Sequence, residues 1–493
     1  MYNKRRDAQT SLFTFNQPLG LRLDGSNIWV KMAERIPWSQ FEGRYASLFD
    51  KSGGTVAKPL RMALGSLIIQ KWYSYSDRDL VSQIQMNPYF QYFIGLHEFQ
   101  HDAPFVPSLL VEFRKRLSEA ILSEINGIIL EAQSGDSADD DRDGNSDGGS
   151  FGCQVDEGGG EGDIKNVGTL ILDATCAPQN IKYPQDTNLL FDAREKLEDI
   201  IAKVCLRENI YRPRTYCREA KREAQKFIFS KKRTRQLIRT TIRKQLQYIR
   251  RDFGYISGYL KHGCFFKEKE LKLLGVLHRV FEQQQFMYGN KVHSVENRIV
   301  SISQPYIRPI VRGKANAPVE FGAKLDLSLI GGYGRIERLS FDAFNESEDL
   351  VIAIEKYKER AGAYPERVLA DRIYRNKNNL AYCKEHGIRL LGPRLGRPSK
   401  DAISNKKIER QDQKDRIEIE RAFSLAKGRC GLGRIRTKLE ETTRSSIILS
   451  IITMNIYKIF SIDFILWLLR FASKNIFKNK TYNSTTHAWA EAY

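Results

Sequence analysis

Strand-like apolar segments occur at two separated places in this chain, and helical pattern from about Leu189 to Tyr288 fills the gap between them. That interruption constrains the fold more than any other feature. The first segment, Thr169-Leu-Ile-Leu172, is a short, unbroken apolar run that reads as a strand. Strand signals resume at Arg298-Ile-Val-Ser-Ile302. Over Val319–Ile330, Phe321, Ala323, Leu325, Leu327 and Leu329 alternate with polar positions. Gly331-Gly-Tyr-Gly334 reads as a turn, and Arg335–Phe341 alternates again. A helix over about 346–360 precedes a second short run, Val368-Leu-Ala370. A helix over 376–385 closed by Gly387, a strand over 388–391 and a long helix follow. The order predicts an α/β fold: a mixed sheet flanked by helices, with the 169–172 and 368–370 strands side by side.

The rest of the chain frames that sheet. Residues 58–130 carry helical patterns, with Ser76 as an N-cap, a break at Asn87-Pro88, and a long amphipathic helix expected from Ser108 through Ile121. From Ser134 to Asp163 the composition falls to Gly, Asp, Ser and Asn, as in a flexible acidic linker or surface loop. Its Asp139-x-Asp141-x-Asp143-Gly144 imitates the opening of a calcium loop. The twelfth position is Ser150 instead of a bidentate Glu, so a solvated linker is expected. The apolar stretch from Ile447 to Ala472 is interrupted by Asn455, Lys458, Asp463 and Arg470, which favours buried helices over a membrane span. Phe464-Ile-Leu-Trp-Leu-Leu469 leaves an exposed docking surface open. The polar N-terminus offers no secretory signal, and the seven scattered cysteines have no Cys-x-x-Cys pair, as expected of reduced thiols in the cytoplasm.

Charge narrows the partners. The 493 residues hold 79 Lys and Arg against 59 Asp and Glu, a formal +20, so nucleic acid is the first polyanion to consider and anionic membrane the second. The excess is concentrated. Between Arg207 and Arg251 sixteen Lys or Arg face three acids, with Tyr211, Tyr216, Phe227, Phe229 and Tyr248 interleaved. Lys231, Lys232, Arg233, Arg235, Arg239, Arg243 and Lys244 are its centre. Cations among aromatics suit phosphate neutralisation and base stacking; the plainer reading is a solvated helix face.

Asp173 and Asp371 each end one of the short apolar runs, and Glu420 lies on the long helix between Arg416 and Lys427. Steps of four and seven put Arg416, Glu420 and Lys427 on one helical face, while Glu418 is turned away. Two strand-end aspartates and a helical glutamate can hold two Mg²⁺ ions for phosphoryl transfer. Each acid taken singly reads as a turn former or surface ion pair; the conjunction points to chemistry. Neither a Gly-x-Ser-x-Gly elbow nor a Walker A loop occurs, and the chain has only seven histidines, so a nucleophilic side chain is poorly supported.

The motifs together resemble a DDE transposase of a bacterial insertion sequence, in the group allied to insertion sequence five. They include Ser76-Asp-Arg-Asp-Leu-Val, Asn87-Pro-Tyr-Phe-Gln-Tyr-Phe-Ile-Gly95, Pro107-Ser-Leu-Leu-Val-Glu-Phe-Arg-Lys-Arg116, Leu172-Asp-Ala-Thr175, Arg308-Pro-Ile-Val-Arg-Gly-Lys314, Pro318-Val-Glu-Phe-Gly-Ala-Lys324, Ala370-Asp-Arg-Ile-Tyr-Arg375 and Arg416-Ile-Glu-Ile-Glu-Arg-Ala-Phe423. The resemblance implies an RNase H-like core with Asp173, Asp371 and Glu420 as catalytic metal ligands for two Mg²⁺, Mn²⁺ being able to substitute. The family's Tyr-x2-Arg-x3-Glu-x6-Lys pattern carries over as Arg416, Glu420 and Lys427, with Gln413 in place of its tyrosine. Arg416, Lys427, Lys324 and the basic stretch become DNA contacts. Terminal inverted repeats and target DNA become the partners of a homodimer, nucleoid-associated and without a membrane. The expected organisation is an N-terminal helical domain for DNA-end binding or dimerisation (1–132), the linker (133–163), the catalytic domain (164–445) with its basic helical insertion (about 189–290), and a helical tail (446–493). A metal-dependent nuclease and a non-catalytic DNA-binding descendant are the alternatives.

Overall fold

The computed structural model of the chain describes residues 12–17, 22–49, 56–136, 165–311, 319–392 and 402–461. Most of the acidic linker, its calcium-like stretch and the Phe464–Leu469 segment lie outside those residues. The chain begins in helices: α1 (Ile28–Arg35), α2 (Trp38–Ala46), α3 (Leu60–Tyr73), α4 (Asp77–Met86), α5 (Pro88–Phe93), α6 (Leu109–Arg116) and α7 (Glu119–Asp136). Ser76 caps α4 by accepting from Asp79 N, and Asn87 caps α5, whose Pro88 stands at the first turn. The continuous helix expected from Ser108 is broken instead. Leu117 leaves the helical region at ψ 73°, and Ser108 makes no side-chain cap bond. Because Leu110, Phe113, Leu117 and Leu122 are all buried, the apolar stripe runs across the break and conceals it in the sequence.

The sheet is built from β1 (Thr169–Pro178), β2 (Arg308–Val311), β3 (Val319–Ile330), β4 (Tyr333–Ser340), β5 (Arg367–Ala370) and β6 (Arg389–Leu390). Its order is β2-β3-β1-β5-β6, with β4 beside β2 on the same side of the long β3. β3 is antiparallel to β1, β2 and β4, whereas β1, β5 and β6 run parallel. Helix α12 (Asp349–Ala361) covers one face and α14 (Ala402–Gly428) the other, with α13 (Lys377–Glu385) joining β5 to β6 and α15 (440–461) packed under β4. This mixed sheet flanked by helices, with an N-terminal helical region, is an RNase H-like α/β fold. Residues 298–302, expected as a strand, form no strand pairing among the described residues. Ile299 and Ile302 pack against the helical insertion, and the strand in this region is β2.

The insertion leaves the sheet after β1 and returns before β2 as α8 (Asp186–Arg207), α9 (Cys217–Ile228), α10 (Arg235–Lys261) and α11 (Glu268–Asn290). It has its own core, in which Leu190, Leu197, Ile201, Ile249, Leu277 and Val280 meet. The described cysteines are free thiols, and no described helix is long and apolar enough to cross a membrane.

Candidate active site

Parallel pairing of β1 with β5 places Thr169 opposite Arg367 and Leu172 opposite Ala370. One step further along the same register stand Asp173 and Asp371. Side chains alternate along a strand, so both aspartates share the face of Ile171 and Leu369, the face covered by α14. Asp371 directly follows β5 and caps the turn Arg372–Tyr374, its Oδ1 accepting from Arg372 N at 2.6 Å. Asp173 lies within β1, deeper, with Oδ1 accepting from Ala174 N at 2.8 Å.

Helix α14 brings the third acid. Ile419 and Ala426 bury its inner face. Arg367 of β5 donates to Asp412 at 2.8 Å and Asp415 at 2.7 Å, fastening the helix across the start of the parallel strands. Further along α14, Arg416 lies between the acids, 3.9 Å from Asp173 Oδ2 and donating to Glu420 Oε1 at 3.0 Å. Glu418 points away, to Lys458 at 2.8 Å. Burial pushes the Asp173 carboxyl up to about 6, against its hydrogen bond from Ala174 and the pull of Arg416, with Glu346 and Asp371 adding like-charge repulsion. Hard oxygen donors crowded enough to repel one another suit a divalent cation. The fit is incomplete as the side chains stand. Among the described residues no three His, Cys, Asp or Glu gather at metal-holding distance, and the Arg416 guanidinium contacts both Asp173 and Glu420.

The other expected contacts separate. Lys324 faces inward, its Nζ donating to Phe344 O at 2.8 Å and paired with Glu346 at 2.7 Å. Lys427 opens into a different cavity, beside Lys71 and Arg114. Lys231, Lys232 and Arg233 form the exposed link from α9 to α10, and Arg235, Arg239 and Arg243 recur every four residues on the exposed face of α10. Arg239 stacks over Tyr288 at 4.4 Å, Arg233 over Phe227 at 5.2 Å, and Lys244 pairs with Glu223 at 2.6 Å.

Sequence reasoning missed the acids behind the site. Asp326, opposite Ala174 in the β1–β3 pairing, is wholly buried and accepts from Tyr374 Oη at 3.1 Å, and burial and the neighbouring Asp349 push its carboxyl well above the usual range. Its Oδ2 has no hydrogen-bond partner among the described residues. An acid alternating with leucines reads as solvent-facing, and only the cover supplied by α12 reverses that reading.

Two stretches of the chain match known family models. Residues 368–457 match a transposase DDE domain, a stretch that holds Asp371, Arg416, Glu420 and Lys427 but not Asp173. Residues 19–116, helices α1 to α6, match a second model described as a transposase domain. An uncharacterized protein, ORF8 in the nfe locus of Rhizobium meliloti, is 26% identical over 195 residues, 40% of this chain and 81% of that protein. No solved structure matches the chain.

Proposed function

We propose that this transposase-family protein cuts DNA at the ends of a mobile element, of the insertion-sequence-five-like group, and joins those ends to target DNA. The observation that carries this reading is the level pairing of Asp173 with Asp371 on adjacent parallel strands, under a helix that presents Arg416 and Glu420. Asp173, Asp371 and Glu420 would hold the two Mg²⁺ ions. When bound, those ions supply activation of the attacking oxygen and stabilisation of the leaving one.

The chain's own residues do the rest. Asp173 is desolvated, so in its ionised form it attracts cationic charge more strongly than an exposed carboxylate. Asp371 is fixed by its backbone hydrogen bond and keeps its second oxygen free of that duty. Arg416 neutralises the acids at rest. Swung away from Glu420 it carries its guanidinium to a phosphate oxygen, for which a planar bidentate donor is well shaped. The exposed cations of α10 neutralise backbone phosphates beyond the site. The N-terminal helices recognise the terminal repeats, and two copies bring two ends together.

The reading is tested by incubating DNA carrying the element's own ends with Mg²⁺ and wild-type or Asp371→Asn protein. Cleaved and joined products from the wild type alone are expected. Cleavage without joining would make the protein a nuclease, and tight end binding without chemistry in either protein a DNA-binding descendant.

A further inference from the structure

A cavity of about 860 Å³ opens where the N-terminal helices meet the far end of α14. Lys71, Arg78 and Arg114 reach it from α3, α4 and α6. Lys427, Arg434, Arg436 and Lys438 reach it from the end of α14 and the segment that follows. Against these seven cations the lining has one carboxylate, Asp77, already held by Arg114. Lys71 is half-buried and donates to Ser446 Oγ at 2.7 Å. Burial, with the repulsion of Arg114 and Arg436, pushes its ammonium down to about 7. So dense a set of like charges is costly in an unliganded protein and becomes favourable once an anion with several oxygens enters.

Position identifies the anion. Lys427 follows Glu420 by seven residues on one helix, about 10.5 Å along its axis. A DNA strand leaving the carboxylates along α14 reaches the cavity within a few nucleotides. We propose that this pocket grips the backbone phosphates of the strand flanking the bond to be cut, with Lys71, Arg114 and Arg436 as its clamp. The proposal rests on the DNA-processing function proposed for the carboxylates. It gives the N-terminal helices a second role, in which they complete a strand-binding pocket with the catalytic helix, so that strand engagement and α14 position are linked.

The test is the binding of a short labelled single-stranded oligonucleotide in EDTA, by fluorescence anisotropy over a salt series. Wild type is compared with Arg436→Ala/Lys438→Ala, both exposed, and with Lys71→Met. The expected result is roughly tenfold weaker binding and a salt slope shallower by about 0.7 for each phosphate that is no longer neutralised. Wild-type affinity and slope in the exposed double variant would overturn the pocket, as would a wild type that binds no oligonucleotide. Asp371→Asn, assayed alongside for Mg²⁺-dependent cleavage, separates the two ideas. If it cleaves like wild type while the pocket variants lose the oligonucleotide, the pocket stands and the chemical reading falls. If it is inactive while the pocket variants bind normally, the pocket falls and the chemistry stands.

Discussion

Asp173 is a carboxylate whose surroundings disfavour its charge, and that has a consequence for pH. Its folded-state value is raised from 3.8 to about 6, so the folded protein retains this proton where an unfolded chain has lost it. Ionised Asp173 therefore costs stability from about pH 4 upwards, and it can hold a cation only once ionised. At sub-saturating Mg²⁺, where protons compete with the cation for this ligand, cleavage is expected to fall as pH drops through about 6. Arg416→Ala removes a charge that favours the ionised form, so it should move this acid limb to higher pH as well as lower the rate. A pH–rate profile at a fixed, sub-saturating Mg²⁺ concentration checks both, and an unmoved limb would sever Arg416 from Asp173. The level placement of Asp173 and Asp371 was legible because each closes a short apolar run in the sequence, although β1 continues past Asp173 to Pro178. Arg416 was legible as a neighbour of Glu420 from its spacing, but not as a bridge to Asp173, which needs the helix laid over the sheet. Asp326 was illegible. Alternation along β3 marks Lys324, Asp326 and Ser328 as one polar face, yet Asp326 and Ser328 are wholly buried because α12 packs there.

Among the elements, α10 has two faces with opposite consequences. Outward, Arg235, Arg239 and Arg243 form a row, and replacing all three with Ala should weaken DNA binding uniformly across sequences. The salt slope should fall by about 0.9 for each duplex phosphate that the row neutralises; an unchanged slope would make the row a solvated surface. Inward, Asp252 is wholly buried between α8 and α10, with Arg251 at 3.9 Å and no hydrogen-bond partner for either oxygen among the described residues. Burial, and the neighbouring Glu198, push its carboxyl up to about 7. The unfolded chain ionises it near 3.8, so the insertion loses stability as pH rises from there towards 7. Asp252→Asn should consequently raise Tm at pH 8, by about 2–4 °C for each kcal/mol recovered, and the gain should vanish below about pH 4. A scan of Tm against pH reads this directly. The helical character of the insertion was legible over about 189–288, but its division into four helices was not. The break at Leu117 and the missing strand at 298–302 were not, because apolar residues serve equally in a helix, a strand or an unpaired buried segment.

At the scale of the whole molecule, the N-terminal helices, the sheet and α15 are tied by a buried polar knot. Asn455 of α15 accepts from Gly334 N at 2.7 Å and donates to Gly334 O and to Asn126 Oδ1 of α7, each at 2.8 Å. Asn126 donates in turn to Gly334 O at 3.0 Å. Removing one member leaves buried partners unsatisfied, at about 1–3 kcal/mol for each group. Asn455→Ala should lower Tm by several degrees, and a Tm equal to wild type would dissolve the knot's structural role. No periodicity announces such a contact between residues hundreds of positions apart, although the interruption of an apolar helix by Asn455 was itself a sign of interior packing. The adjacency of the 169–172 and 368–370 segments was more legible than these joints, because the succession of strands and helices restricts how a mixed sheet can be wound. The proposed role of Asp173 and Asp371 is to hold, together, the metal that drives DNA cutting. It is tested most directly by Asp371→Cys, assayed on end DNA with Mg²⁺ and then with Mn²⁺, a cation that accepts a softer thiolate more readily. No cleavage in Mg²⁺ and recovery in Mn²⁺ are expected. Cleavage by Asp371→Cys at the wild-type rate in Mg²⁺, or wild-type cleavage in EDTA, would contradict it.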